Sequence, residues 1–270
     1  MIKVEQINNF DFEQTPLSYD CLAKKIINDL NEVGYIVVKN FNIDPNNLEE
    51  SREKFLELSL LIGDTIAHDS KDSIIWDIKS NAKSDSLIKT YSEHSHEAEL
   101  HTDSQYSSYP EDYFGLLTLK KAECGGGLSS LLSLKNVIKT INELENSEAL
   151  IDTLSATNYP FIVPNVFKKT TGNNDAEFNY GPILRENEIR FRVDTFEKAL
   201  QHVDAECTQE QIDAYKILKK NILENKHTEA FYLEERDLIF INNKTMLHGR
   251  NEFTDQKRHL LRIRMNKFDK

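Results

Sequence analysis

The stretch Arg258-His-Leu-Leu-Arg-Ile-Arg-Met265 constrains the fold of this chain more than any other. With the two-residue period of a strand, it puts Arg258, Leu260, Arg262 and Arg264 on one face and Leu261, Ile263 and Met265 on the other. A helix would scatter both sets around its axis. The apolar face must be covered by another layer. The arginine face must meet either water or anions. Short β runs at residues 230–233 and 238–241 precede it, and residues 35–38 and 114–119 read as buried strands. Short strands joined by short links pair antiparallel and stack as a sandwich or jelly roll.

Helical patterns lie before and among these strands. Residues 19–33 carry apolar groups at 22, 23, 26, 27, 30 and 33, with Gly34 placed to cap the end. Asp44-Pro45 reads as the start of a second helix running to about Ile62, before Gly63. Thr208 and Gln211 form a capping box ahead of Ile212, Tyr215, Leu218 and Ile222. Residues 189–193 read as a strand, and Cys124-Gly-Gly-Gly127 as a tight turn or a close approach of backbone to a ligand. The expected class is α+β: a distorted double-stranded β-helix (jelly roll) core with flanking helices and a long insertion. No repeat or low-complexity tract divides the chain, so residues 1–270 are expected to form one domain.

Composition narrows the function classes. Forty-five acids against 33 bases give a net charge of −12, which repels a nucleic-acid backbone or an anionic membrane. The basic pairs Lys168-Lys169 and Lys219-Lys220 are isolated. No apolar run approaches the ~18 residues of a membrane span. The opening MIKVEQINNF lacks the apolar core of a secretory signal. Cys21, Cys124 and Cys207 form no C-x-x-C pair, so a reducing, cytoplasmic setting is expected, each thiol acting as a small buried hydrophobe. A small-molecule substrate is the partner class that remains.

Three His-x-acid pairs occur: His101-Thr-Asp103, His202-Val-Asp204 and His227-Thr-Glu229. With 8 histidines and 45 acids in 270 positions, about one such pair is expected by chance, so context decides. His202 sits in a helix-like charged stretch, where side chains two apart diverge by about 200°, and His227 lies in a polar link. His101 stands next to a β run, and on extended backbone residues two apart point the same way. Two histidines and one carboxylate on one face suit iron(II), leaving positions for a bidentate 2-oxo acid and dioxygen. A second histidine, His248, follows the strand-like Asp237-Leu-Ile-Phe-Ile-Asn-Asn243 and precedes Gly249 and Arg250. A dicarboxylate cosubstrate also needs a forked cation at its far end, and Arg258 and Arg262 follow ten and fourteen residues later.

Taken in order, the opening helix with Gly34-Tyr-Ile-Val-Val-Lys-Asn40, His101-Thr-Asp103, Gly125-Gly-Gly127, residues 237–243, His248-Gly-Arg250 and Arg258-His-Leu-Leu-Arg262 resemble the taurine dioxygenase and clavaminate synthase-like superfamily of iron(II)/2-oxoglutarate oxygenases. The resemblance spans most of the chain. It implies a distorted jelly roll, His101, Asp103 and His248 as iron ligands, and 2-oxoglutarate and dioxygen as co-reactants. It implies a hydroxyl near the glycine turn, here Ser129, beside an arginine that grips 2-oxoglutarate. Arg262 is expected in that role, with Arg258 the alternative. Hydroxylation of a small polar substrate, such as an amino acid or derivative, is the implied reaction. Glu93, Glu97 and Glu99 are candidate partners for a substrate amine. The alternative is a metal-binding jelly-roll protein or a zinc hydrolase on the same ligands, which would have no use for the arginine clamp.

Overall fold

The computed structural model describes residues 7–68, 72–79, 95–164 and 176–268. Two main sheets carry the core. The first, in spatial order, holds β1 (Asn9–Asp11), β2 (Tyr35–Lys39), β13 (Leu238–Asn242), β6 (Tyr113–Lys120), β15 (His259–Asn266) and β3 (Asp64–Ile66), with β4 (Trp76–Lys79) also paired to β15. The second runs β12 (Glu229–Phe231), β7 (Ser129–Ser133), β14 (Met246–Arg250) and β5 (Ala98–His101). Every pairing in them is antiparallel except β1 with β2.

The alternation read from residues 258–265 is what joins these layers. Leu261, Ile263 and Met265 turn outward and pack with Phe55 and Leu58 of α2 (Leu48–Leu60) and with Leu22, Ile26 and Leu30 of α1 (Tyr19–Glu32). Leu260 turns inward and joins Phe114, Ile239 and Ile241 against Leu131 and Met246 of the second sheet. Beyond the second sheet, Leu132 and Leu247 pack with α3 (Leu134–Ile141), α4 (Ser147–Ala156) and α6 (Gln209–Leu223). Each fully buried Leu, Ile or Phe contributes about 1.5–3 kcal/mol, so the layers cohere mainly through apolar burial. The segment between His101 and His248 therefore supplies a whole outer helical layer.

Gly34 ends the first helix at φ +97°, as its position predicts, and the capping box at Thr208 and Gln211 forms with bonds of 3.2 and 2.8 Å. Three expectations change. The second helix starts at Leu48 instead of Pro45, because Asp44 folds a turn through the Asn46 amide and Asn47 takes over capping through the Glu50 amide. Residues 189–193 are not one strand. Only Glu188–Ile189 (β11) pairs, with Leu184–Arg185 (β10), and Val193 already opens α5 (Val193–Ala199). The Arg190 amide still bonds the Ile183 carbonyl at 2.8 Å, but its side chain reaches the carbonyls of Gln105 and Ser107 and the Phe191 backbone pairs with Thr102. Cys21 and Cys124 are exposed and Cys207 half-buried, so none is the fully buried hydrophobe expected; all three are free thiols. No helix among the described residues is long and apolar enough to cross a membrane.

Candidate metal centre

His101 ends β5 and His248 sits in the middle of β14, and the two are direct cross-strand partners. Cross-strand partners on one face have neighbouring side chains, and these rings lie 4.3 Å apart between centroids. Past His101 the chain leaves the sheet. Thr102 is buried against Phe191, exchanging hydrogen bonds with its backbone at 2.8 and 3.1 Å. Ser104 then takes a left-handed conformation at φ +52°. Asp103 is thereby turned back toward the histidines. One ligand atom from each of His101, Asp103 and His248 lies within 4.8 Å of the others. Two contacts are direct: His248 Nε2 to Asp103 Oδ2 at 3.3 Å and His101 Nε2 to Asp103 Oδ1 at 3.8 Å.

The donor chemistry fits a divalent cation. His101 Nδ1 lies 2.7 Å from the Glu99 carbonyl, which only accepts, so Nδ1 carries the proton and Nε2 keeps its lone pair toward Asp103. Burial, then the neighbouring His248, hold the His101 imidazole well below its usual range and therefore neutral, as a ligand must be. Burial alone would raise the Asp103 carboxyl. The Arg262 guanidinium, with His248, outweighs it and holds the group well below the usual carboxylate range.

Asn243, at the turn after β13, fixes this loop. Its side chain accepts from the Asp103 amide at 2.8 Å and donates to the Asp103 and Glu111 carbonyls, each at 3.1 Å. Glu111 is buried, and its carboxylate meets Arg262 at 3.2 Å and Arg264 at 3.9 Å. Arg262 Nη2 also lies 2.5 Å from Asp103 Oδ2 and its guanidinium sits over the Phe114 ring. Sequence reading had no signal for Glu111 or for the role of Asn243, since both depend on which loops meet.

At the other end of the same strand face stands Arg258. It is 8% exposed, lies over the Phe253 ring at 5.0 Å, and has no carboxylate partner among the described residues. Burial, then nearby Arg250, push its guanidinium down to about 9. Guanidinium keeps its proton in proteins, so this marks a desolvated cation lacking a counter-charge. The glycine turn packs beside it: the Leu128 amide bonds the Asn251 side chain at 2.6 Å and the Gly127 amide bonds the Glu252 carbonyl at 3.2 Å. A cavity of about 390 Å³ opens here, lined by Gly125, Gly126, Gly127, Tyr232, Arg258 and Leu260 among others. Ser129 opens β7 opposite Arg250, half-buried.

A Cβ on Gly126 would stand 2.4 Å from the Glu252 carbonyl oxygen, a backbone atom that cannot swing away. Gly126→Ala should therefore cost about 1–3 kcal/mol and displace the turn from Phe253 and Arg258. A lower midpoint in a thermal melt would bear this out.

The other His-x-acid pairs are not brought to a metal site. His202 and Asp204 lie in an exposed turn after α5 and not in a helix, so exposure, not helical divergence, sets them apart. Glu229 accepts a hydrogen bond from the Tyr35 hydroxyl. Asp204→Ala and Glu229→Ala should leave iron(II) affinity within about twofold of wild type, whereas Asp103→Ala should not; loss of iron binding in either of the first two contradicts the assignment. Glu93 lies outside the described residues, Glu97 is exposed, and Glu99 uses its carbonyl to orient His101.

Comparison with known proteins bears on the fold and the family. No curated protein sequence matches the chain. An asparagine oxygenase in complex with Fe(II), 2S,3S-3-hydroxyasparagine and succinate superposes with a TM-score of 0.71 at 18% identity, over 92% of this chain and 80% of that one. The non-heme iron oxygenase OrfP in complex with Fe and alpha-ketoglutaric acid gives 0.65 at 18% identity, over 93% and 79%. The PvcB protein from Pseudomonas aeruginosa gives 0.65 at 13% identity, over 95% and 84%. Likeness at these identities establishes a shared fold. The family model for the taurine catabolism dioxygenases, TauD and TfdA, matches residues 2–264, nearly the whole length, and the chain belongs to that dioxygenase family.

Proposed function

We propose that this dioxygenase hydroxylates an unactivated C–H bond of a free amino acid or close derivative, with His101, Asp103 and His248 holding iron(II). The observation that carries the reading is the pairing of that compact donor set with Arg258, a buried cation lacking a carboxylate partner among the described residues, on the inner face of the same core. Iron(II) held by His101, Asp103 and His248 would supply the oxidising chemistry, with 2-oxoglutarate and dioxygen as co-reactants and succinate and carbon dioxide as by-products. The protein's part is to hold, orient and keep dry. A zinc hydrolase on the same ligands would leave Arg258 without an anion.

The roles of the two arginines follow from position. A five-carbon diacid chelating the metal through its 2-oxo end carries its second carboxylate two methylenes further on. Arg262 lies 2.5 Å from a metal-ligand oxygen, too near to grip that far end. Arg258 stands four residues along the strand, about 13 Å away between Cα atoms. Arg258 is therefore the cosubstrate clamp, assisted by Ser129, and Arg262 faces the substrate. This reverses the order expected from the sequence. Support for an amino-acid substrate comes from the structural relatives, bound to 3-hydroxyasparagine in one case and to (3S)-hydroxy-L-Arg in another.

The core reads as a distorted jelly roll within one domain, supported by two sheets, antiparallel but for β1 with β2, that share an apolar layer. Three free thiols suit a reducing, cytoplasmic setting.

The test is anaerobic loading with iron(II) and 2-oxoglutarate, then dioxygen and a panel of L-amino acids, following succinate and the gain of one oxygen atom by mass. Succinate formation with no oxygenated amino acid would remove the substrate class. No succinate under any condition would remove the oxygenase reading.

A further inference from the structure

Asp103 and Glu111 both reach the Arg262 guanidinium, at 2.5 and 3.2 Å, in a pocket where the three side chains are 10%, 3% and 14% exposed. The two carboxylates are mounted on one support, because the Asn243 side chain bonds the main chain of both residues. Arg264 stands 3.9 Å from Glu111, while its other bonds go to the Ser104 hydroxyl and the Ala67 carbonyl. The oxygen that Arg262 approaches most closely, Asp103 Oδ2, is also the one 3.3 Å from His248 Nε2. A cation taken by Asp103 Oδ2 beside His248 would share that oxygen with Arg262, whereas Oδ1 faces His101 Nε2 at 3.8 Å.

We propose that Glu111 is a positioning residue for metal binding: it gives the Arg262 guanidinium a second carboxylate to hold, so that Asp103 Oδ2 can be released to the cation. This rests on His101, Asp103 and His248 being the metal site. In a dry pocket a guanidinium held by one carboxylate binds it undivided and repels an incoming divalent cation. A second carboxylate at hydrogen-bond distance changes the balance, because the arginine keeps a counter-charge when Asp103 turns to the metal. Glu111 touches no ligand atom of the triad and acts only through Arg262.

The experiment is calorimetric titration of the metal-free protein with Mn(II), which takes the same nitrogen and oxygen donors as iron(II), with a thermal melt of each variant. Wild type should bind and His248→Ala should not. Glu111→Gln keeps the shape and hydrogen-bonding capacity but loses the charge, and should weaken Mn(II) binding about tenfold or more. Adding Arg262→Gln to that variant removes the competitor and should return affinity to within about threefold of wild type. A structural role for Glu111 would not be rescued in this way. Mn(II) affinity in Glu111→Gln equal to wild type overturns the proposal, as does a double variant that stays as weak as the single. If Glu111→Gln does not fold, Arg262→Gln alone decides, since losing the competitor should tighten Mn(II) binding and weaker binding overturns the inference. Unchanged binding in His248→Ala overturns the metal site itself, and this inference with it.

Discussion

Replacing His248 by alanine abolishes iron(II) binding and 2-oxoglutarate turnover while the protein stays folded. The expectation follows from where the ring sits. Its Nε2 is 3.3 Å from Asp103, its centroid is 4.3 Å from that of His101, and its other face packs on Phe114 at 4.6 Å. Three donors must act together, and two leave too few contacts to strip a divalent cation of its water. The cost to the fold is small by comparison. His248 Nδ1 has no hydrogen-bond partner among the described residues, so alanine removes a ring, some packing and the Nε2 contact with Asp103, whose Oδ2 Arg262 still holds. The measurement is anaerobic iron(II) titration with 2-oxoglutarate, following the visible charge-transfer band, beside a circular dichroism melt. A folded variant that still shows the band and forms succinate would end the assignment of His248 as a ligand.

Arg258→Ala raises the 2-oxoglutarate requirement by about two to three orders of magnitude, and Arg262→Ala does not. A forked, charge-assisted pair in a dry site is strong, and removing one partner leaves the other buried and uncompensated at a cost of ~3–5 kcal/mol. At about 1.4 kcal/mol per decade this gives the stated range. Iron affinity without cosubstrate should change little in Arg258→Ala. Lysine at 258 should recover only part of the loss, because it offers a point charge without the planar fork. Ser129→Ala should give a lesser defect of the same kind, about 1 kcal/mol. The comparison of the two arginine variants decides the roles. If Arg262→Ala carries the large cosubstrate defect and Arg258→Ala weakens only the substrate, the order first read from the sequence is the right one. If neither changes the 2-oxoglutarate dependence, the clamp lies elsewhere.

What was legible in the sequence was what periodicity and local spacing encode. Residues 258–265 announce a strand with two unlike faces, and they form one, with the apolar face on α1 and α2 and the arginine face inward. The capping box at Thr208 and the glycine at 34 fix helix ends because caps depend on neighbours three or four residues away. His101-Thr-Asp103 shares its spacing with two other pairs and stood out by its β context, and the ordered motifs around it pointed to the family that the comparison identifies. Tertiary structure alone decided the rest. Strand register set His248 directly across from His101, a relation between residues 147 positions apart that no local pattern contains. The strand expected at 189–193 gives way to long-range contacts, the Phe191 backbone pairing with Thr102 and the Arg190 side chain reaching the carbonyls of Gln105 and Ser107. Long-range packing also gave the two arginines different neighbours on one face. Alternation says only that Arg258 and Arg262 point the same way. Which one lies against Asp103 and Glu111, and which is buried by the glycine turn without a counter-charge, depends on loops folded over opposite ends of β15, where burial and charge sum over residues distant in the chain.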